Sequence, residues 1–367
     1  MKKALVLAAG KGKRLRLFTR AKPKPLIGIV GEPVLGYAIR KSLFCGLKEI
    51  VFVVGYEASQ VVEYIREEEA TKGFEATIIE QREQLGTGHA VKLAKEEIGR
   101  EEFLLLYGDL YFGDDVLPSL LRAHRNSGLR CTMTLVEVGD AGSFGVVEVD
   151  GEMVSSIMEK PGINKKGLIN AGIYAFSPRL FEELDTLERS TRGEYEVTDA
   201  INRLSKTMEV GYIRIPSDIW VDIGRPWDVL DANMAELGRI GARRREVAPV
   251  TQPSFIGEDV YIGKGSSIGP YAVLEDGVWV EDRCKIYRSV VMAGARIGAE
   301  SIISESVIGY NAEVGRKTRT ETVQKTSLRV EIEGHIYELG SRRLGAMVGS
   351  GAYVPPGLVL KPGEIVP

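Results

Sequence analysis

Seven basic side chains fall between residues 11 and 24 (Lys11, Lys13, Arg14, Arg16, Arg20, Lys22 and Lys24), and no acid interrupts them. Gly10 and Gly12 open the run, which leaves directly from a short apolar stretch. Glycines let the main chain approach an anion and aim N–H groups at it, while the cations offset a polyphosphate's charge. Two other glycine-loop chemistries are excluded. Leu15 stands where the dinucleotide fingerprint needs its third glycine, and no GxxxxGK run followed by Ser or Thr occurs. Two carboxylates have a matching setting. Asp109 follows the apolar run 103–106, and Asp222 lies in Trp220-Val221-Asp222-Ile223-Gly224. The carboxyl ends of buried strands are where open α/β sheets bind ligands.

The elements that must hold these residues follow from periodicity. Short apolar runs at 4–9, 50–54, 76–80 and 103–107 read as buried strands, and 34–44, 59–69 and 88–98 place apolar residues at helical spacing. Strands alternating with helices predict a mostly parallel, Rossmann-like α/β sheet covered on both faces. Strands crowd together between 132 and 177, which predicts a mixed sheet edge or a substrate-covering lobe. The expected boundaries are a first domain over 1–237, a linker over 238–254 containing Arg243-Arg244-Arg245, and a second domain over 255–367.

That second domain has another rhythm. Ile256, Ile262, Ile268, Leu274, Val280 and Ile286 recur every six residues; Val291, Ile297 and Ile303 resume one residue early, as do Ile308 and Val314. Three six-residue steps make one triangular coil, so the spacing predicts a left-handed parallel β-helix with the aliphatics stacked inside. The rhythm stops over about 319–345, predicting a projecting arm, and returns at Val348, Val354, Leu360 and Val366. Flat solenoid faces lead us to expect self-association, as a trimer.

Composition narrows the class. A net charge of -3 argues against general nucleic-acid binding, which needs a basic surface. Cys45, Cys131 and Cys284 form no CxxC pair, and the three histidines show no ligand spacing. No apolar run reaches membrane-spanning length and no signal peptide precedes the first strand, so the expectation is a soluble cytoplasmic protein.

The run Leu7-Ala8-Ala9-Gly10-Lys11-Gly12-Lys13-Arg14, with Pro23-Lys24-Pro25 downstream, resembles the signature of sugar-1-phosphate nucleotidyltransferases. The resemblance implies that Ala8, Gly10 and Gly12 bind the nucleotide, that Arg14 wraps the triphosphate and that Lys24 contacts the reacting phosphates. Gln81 through Ala90 is similar to the base and sugar segment of UDP-N-acetylglucosamine pyrophosphorylases, which makes Gln81 the reader of a uracil edge with Gly86 and Thr87 beside it. Asp109 and Asp222 fall on the family's Mg2+ positions; magnesium prefers a few hard oxygens plus substrate phosphates. Ser143-Phe144-Gly145-Val146, Met158-Glu159-Lys160-Pro161 and Ile169-Asn170-Ala171-Gly172 resemble the sugar-binding elements. By that match Gly145 allows close approach, Glu159 and Asn170 bond sugar hydroxyls and Lys160 holds the sugar phosphate. Arg192-Gly193-Glu194 and Val197-Thr198-Asp199-Ala200 look most like archaeal members.

Relatives with this layout often add acetyl transfer in the β-helix. Laid against them on Ser306-Val307-Ile308-Gly309, their catalytic histidine falls near Ala299 and their tyrosine near Ile302, and His335 lacks their context. Acyl transfer to an amine loses its general base there. The expectation is a solenoid kept for assembly or regulation. Because the arm and the run Ser341 to Ala346 still resemble the acetylating relatives, a bifunctional enzyme with a relocated base stays open, as does a non-catalytic scaffold whose first domain only binds a nucleotide sugar. Gln81 suits UTP or dTTP alike, and the sugar phosphate stays open between N-acetylglucosamine-1-phosphate and glucose-1-phosphate.

Overall fold

The structure, a computed structural model, describes residues 1–162, 165–241, 249–323, 327–332, 334–339 and 343–367. Arg243-Arg244-Arg245, Glu333, Ser341 and Arg342 lie outside the described residues. Packing divides the chain into two units, 1–11 with 34–222, and 12–33 with 223–367. The basic segment therefore packs with the C-terminal part of the chain, a grouping that a linear boundary at 237 does not express.

The first unit is built on a nine-stranded sheet in the order Glu75–Glu80, Glu49–Val54, Lys3–Ala8, Phe103–Tyr107, Gly167–Phe176, Cys131–Val138, Val210–Ile215, Met153–Glu159, Gly145–Asp150. The four strands at the start of that order run parallel, and the rest of the sheet is mixed. Parallel strands buried on both faces need unbroken apolar runs. Lys3–Ala8, KALVLA, and Phe103–Tyr107, FLLLY, supply them, with Leu5, Phe103 and Leu105 fully buried. The helix Val34–Phe44 matches the sequence reading to the residue. The stretch read as one helix over 88–98 is two short ones, Thr87–Leu93 and Lys95–Ile98, joined at Ala94. A small two-stranded ladder pairs Leu110–Phe112 with Trp220–Asp222.

In the second unit three parallel sheets of very short strands form the left-handed β-helix. Partners lie 18 residues apart in the early coils, as Tyr261 opposite Trp279, and 17 apart where the sequence rhythm slips, as Leu274 opposite Val291. Two-residue strands cannot stand alone. Ile268, Val280, Ile286, Ile297 and Ile308 are fully buried, and each such side chain contributes about 1.5–3 kcal/mol. The aliphatic stack therefore sets the register, and a missing residue in the rhythm becomes a missing residue in the coil. Val250, six residues before Ile256, bridges to Ile268, so the stack takes in one step more than was read. The arm contains an antiparallel hairpin, Arg329–Ile332 with His335–Glu338. The ladder resumes across it, with Val307 opposite Met347.

Candidate active site

In the first unit the base segment is fixed by backbone crowding. Gly86, at φ +108°, leaves no room for a side chain: a Cβ there would lie 2.4 Å from the Tyr195 carbonyl oxygen. The Gln81 amide, 5% exposed, donates from Nε2 to the Gly86 carbonyl (3.2 Å) and meets His89 Nδ1 at 3.0 Å. Burial lowers the pKa of His89, so its ring is neutral near pH 7 and accepts from the amide. The Gln81 carbonyl oxygen then has no partner among the described residues and is left to accept from a ligand. Gln84 Nε2 donates to the Ala9 carbonyl at 2.6 Å, tying this segment to the end of the first strand. Thr87 Oγ1 accepts from the Val197 N–H at 3.0 Å, which caps the helix carrying Thr198 and Asp199.

The sugar-side residues converge on the mixed half of the sheet. Gly145 pairs with Glu159 across two antiparallel strands, and a Cβ on Gly145 would sit 2.9 Å from Glu159 Oε2. Glu159 accepts from Thr198 Oγ1 at 3.4 Å and lies 3.6 Å from Arg192 and 3.9 Å from Lys160. Asn170 Nδ2 donates to the Tyr174 hydroxyl at 2.5 Å, and Tyr174 donates to Tyr107 at 3.3 Å. Burial raises the pKa of both phenols, so this pair stays neutral and can orient a ligand without adding charge. Arg192 holds Glu196 at 2.9 Å; burial raises the Glu196 carboxyl and the guanidinium opposes that rise. The structure thus adds Tyr107, Tyr174 and Thr198 to this cluster, gives Arg192 a place in it, and sets His89 beside Gln81. The family-like runs around His89, Arg192 and Thr198 marked these three in the sequence; the tyrosine pair, 67 residues apart, left no trace as a pair.

Asp109 and Asp222 are brought together by the small ladder. Asp222 registers with Leu110, so the two carboxylates stand one residue step from being opposite. The Gly108 N–H donates to the Leu7 carbonyl at 2.8 Å, which pins Asp109 beside the first strand. Two hard carboxylates fit a divalent cation that completes its shell with substrate oxygens and water. No group of three or more His, Cys, Asp or Glu suited to a metal occurs among the described residues.

Ala8 is buried at the end of the central strand and Gly10 is exposed, both in the first unit. Arg14 and Lys24 belong to the second unit with Gly12. Gly12 adopts φ +59°, in the left-handed region, and a Cβ there would come 3.1 Å from Lys24 Cβ. The bare turn is thus what lets Lys24 lie against it. Arg14 sits half-buried in the short 3₁₀ turn Lys13–Leu15. Lys11, Lys13, Arg14, Arg16 and Arg20 make no ion pair with an acid among the described residues.

Residues 3–238 match the family described as nucleotidyl transferase. The chain belongs to that family. Residues 250–366 match the GMPPB C-terminal domain. This nucleotidyltransferase is 32% identical over 372 residues to the "Bifunctional protein GlmU" of Methanocaldococcus jannaschii, covering 94% of this chain and 87% of that protein. It is 31% identical over 389 residues to a "Bifunctional sugar-1-phosphate nucleotidylyltransferase/acetyltransferase" of Sulfurisphaera tokodaii, covering 98% and 93%. A solved structure described as a glucose-1-phosphate thymidylyltransferase of Bacillus anthracis superposes with a TM-score of 0.58 at 28% identity, covering 63% of this chain and 93% of that one. The nucleotidyltransferase is thus an enzyme of the sugar-1-phosphate class that forms a nucleoside-diphosphate sugar. Its family works with a divalent metal ion. No helix among the described residues is long and apolar enough to cross a membrane.

Proposed function

We propose that the enzyme transfers a uridylyl or thymidylyl group from UTP or dTTP to N-acetylglucosamine-1-phosphate or glucose-1-phosphate, releasing pyrophosphate, with Mg2+ as the metal. The observation that carries the choice of uracil or thymine over cytosine is Gln81. Its N–H groups serve Gly86 and His89, which leaves its carbonyl oxygen as an acceptor for a base. Uracil and thymine present an imide N–H to such an acceptor; cytosine presents a bare ring nitrogen. The names of the relatives, which include a glucose-1-phosphate thymidylyltransferase, support the same substrates.

In this reading the sugar-phosphate oxygen attacks the α-phosphorus in line, and the pyrophosphate oxygen leaves as the new P–O bond forms. The substrate brings its own nucleophile, so the protein aligns and neutralises. Arg14 and Lys24 take the triphosphate, with Ala8, Gly10 and Gly12 giving it room and N–H groups. Gly86 and Thr87 shape the base site beside Gln81. Glu159 and Asn170 bond sugar hydroxyls over Gly145, and Lys160 holds the sugar phosphate. Asp109 and Asp222 would hold Mg2+, which supplies charge neutralisation on the phosphate oxygens when bound. We also propose that acetyl transfer is absent: Ala299 and Ile302 occupy the places of a general base and its tyrosine. The exposed, stacked pair Tyr261 and Trp279 on one solenoid ladder supports self-association, for which we propose a trimer as the working form.

The deciding measurement is pyrophosphate release across UTP, dTTP, GTP, CTP and ATP against three sugar-1-phosphates, those of N-acetylglucosamine, glucose and mannose. Turnover confined to the UTP and dTTP rows is expected. Preference for CTP would overturn the role of Gln81, preference for GTP would overturn the pyrimidine choice, and CoA release dependent on glucosamine-1-phosphate would overturn the acetyl proposal.

A further inference from the structure

The segment 12–33 has little structure of its own. It consists of two 3₁₀ turns, one four-residue helix and a hairpin of two-residue strands. Something else must fix it, and the fixing groups come from the C-terminal part of its unit. Ser350 donates its N–H to the Leu17 carbonyl at 2.9 Å and its hydroxyl to the Phe18 carbonyl at 3.4 Å. Asn233, fully buried, accepts from the Val30 N–H at 2.7 Å and donates to the Gly28 carbonyl at 3.3 Å. Gly31 lies on the Phe255 ring, where a Cβ would come within 2.4 Å.

Between these anchors lies a more unusual contact. Glu275, at the end of a solenoid strand and 7% exposed, spends Oε2 on the Ala293 N–H at 3.0 Å. Its Oε1 has no hydrogen-bond partner among the described residues and is aimed at Gly28, where a Cβ would lie only 2.2 Å away. Lys22 lies with Nζ 5.1 Å from the centre of the buried Tyr310 ring. A buried carboxyl with an unsatisfied oxygen costs stability. A solenoid built for stability alone would carry an apolar residue there.

We propose that Glu275 and Tyr310 are positioning residues for nucleotidyl transfer, holding the segment that carries Arg14 and Lys24 from beneath, so that the β-helix works as the mount of the phosphate-binding loop. Glu275 sets the height of the chain at Gly28, and its charge and the Tyr310 ring both draw Lys22, two residues before Lys24. Displacing a group that aligns phosphates by an ångström can lower turnover about a hundredfold; a loosened mount calls for less. The charged and titratable groups facing Glu275 are Lys22, Asp276 and Tyr310.

The inference rests on the proposed function for its kinetic arm only. The test compares the full chain with Glu275→Gln and Tyr310→Leu, reading hydrogen exchange of the 12–33 amides alongside kcat and KM for UTP and for the sugar phosphate. Both variants are expected to speed exchange in 12–33 several-fold. Both should lower kcat about tenfold and leave KM for the sugar phosphate unchanged. Because Gln preserves shape, Glu275→Gln should do so without lowering the thermal midpoint, which a merely structural role would not produce. Unchanged exchange in 12–33 in both variants overturns the proposal whatever the activity, as does wild-type kcat in both. Faster exchange in a chain whose wild type releases no pyrophosphate would uphold the mount and remove the proposed function instead.

Discussion

The two basic regions of this chain handle their charge in opposite ways. On the solenoid, Arg283, Arg316 and Lys317 surround Glu300, and Arg288 meets Glu305 at 3.0 Å. In the loop, Lys11, Lys13, Arg14, Arg16 and Arg20 have no such acid among the described residues. Exposed pairs like those around Glu300 stabilise little. Their effect is to give each of these cations a carboxylate within 4.0 Å. In the proposed function the loop keeps its repulsion until a polyanion arrives, and that repulsion then becomes binding energy for a triphosphate. The difference separates a surface from a site more reliably than the number of cations does.

Replacing the loop's charge should show the largest effect. Lys24→Ala, and Asp109→Ala on the metal side, are expected to cut kcat about a thousandfold with circular dichroism unchanged. Near-normal turnover in either would remove that residue from the site. Next comes the base: Gln81→Leu should cost about ten- to a hundredfold in kcat/KM for UTP and flatten the preference over CTP. If the preference survives, the acceptor oxygen is not what reads the base. The comparison sharpens further with pyrophosphate. At a hundred times its Kd it should stabilise the chain by about 2.7 kcal/mol, and that gain should disappear in Arg14→Ala. The smallest effect is expected on the paired surface, where Arg283→Ala should leave both kcat and thermal midpoint where they were.

Glu275 gives a pH test with a definite sign. Burial pushes its carboxyl up to about 7 from an ordinary 4.5, with Lys22 pulling back. The folded state therefore holds this proton more tightly than the unfolded chain. The resulting stability is present below about pH 4.5 and is lost as pH rises through about 7. Glu275→Gln removes that loss, so by thermal denaturation the variant should match wild type near pH 4 and exceed it by about 3 kcal/mol at pH 8. A difference that does not grow with pH would show that the carboxyl titrates normally.

The sequence discloses what repeats or stays local. The six-residue aliphatic rhythm gave the coils, down to the 17-residue registers, because one buried position per step decides the stacking. The basic glycine turn and the placing of Asp109 and Asp222 at strand ends were legible because glycines, cations and apolar runs sit side by side in the chain. Less was visible where contacts are distant. Nothing in the neighbourhood of Gly28 announces a carboxyl 247 residues later, or a tyrosine beneath Lys22 at position 310. The pair Tyr107 and Tyr174 is equally silent, since each reads alone as an ordinary strand aromatic. The hold on 12–33 within the second unit belongs to the same class, being made by single residues from five separate places, Asn233, Phe255, Glu275, Tyr310 and Ser350.

The arm carries a lesson about how such chains change length. Successive solenoid partners lie 17 or 18 residues apart, yet Val307 and Met347 pair across 40. Closing the longer loop rather than a 17-residue one costs under about 1 kcal/mol, because closure entropy grows only with the logarithm of length. The coils on either side keep their aliphatic stack and do not register the excursion. A stacked repeat can thus accept, lengthen or exchange whole segments at a corner while its neighbours stay in place. The corner after Thr320 is therefore a natural point for lineages, or for an engineer, to add a new surface to an unchanged enzyme.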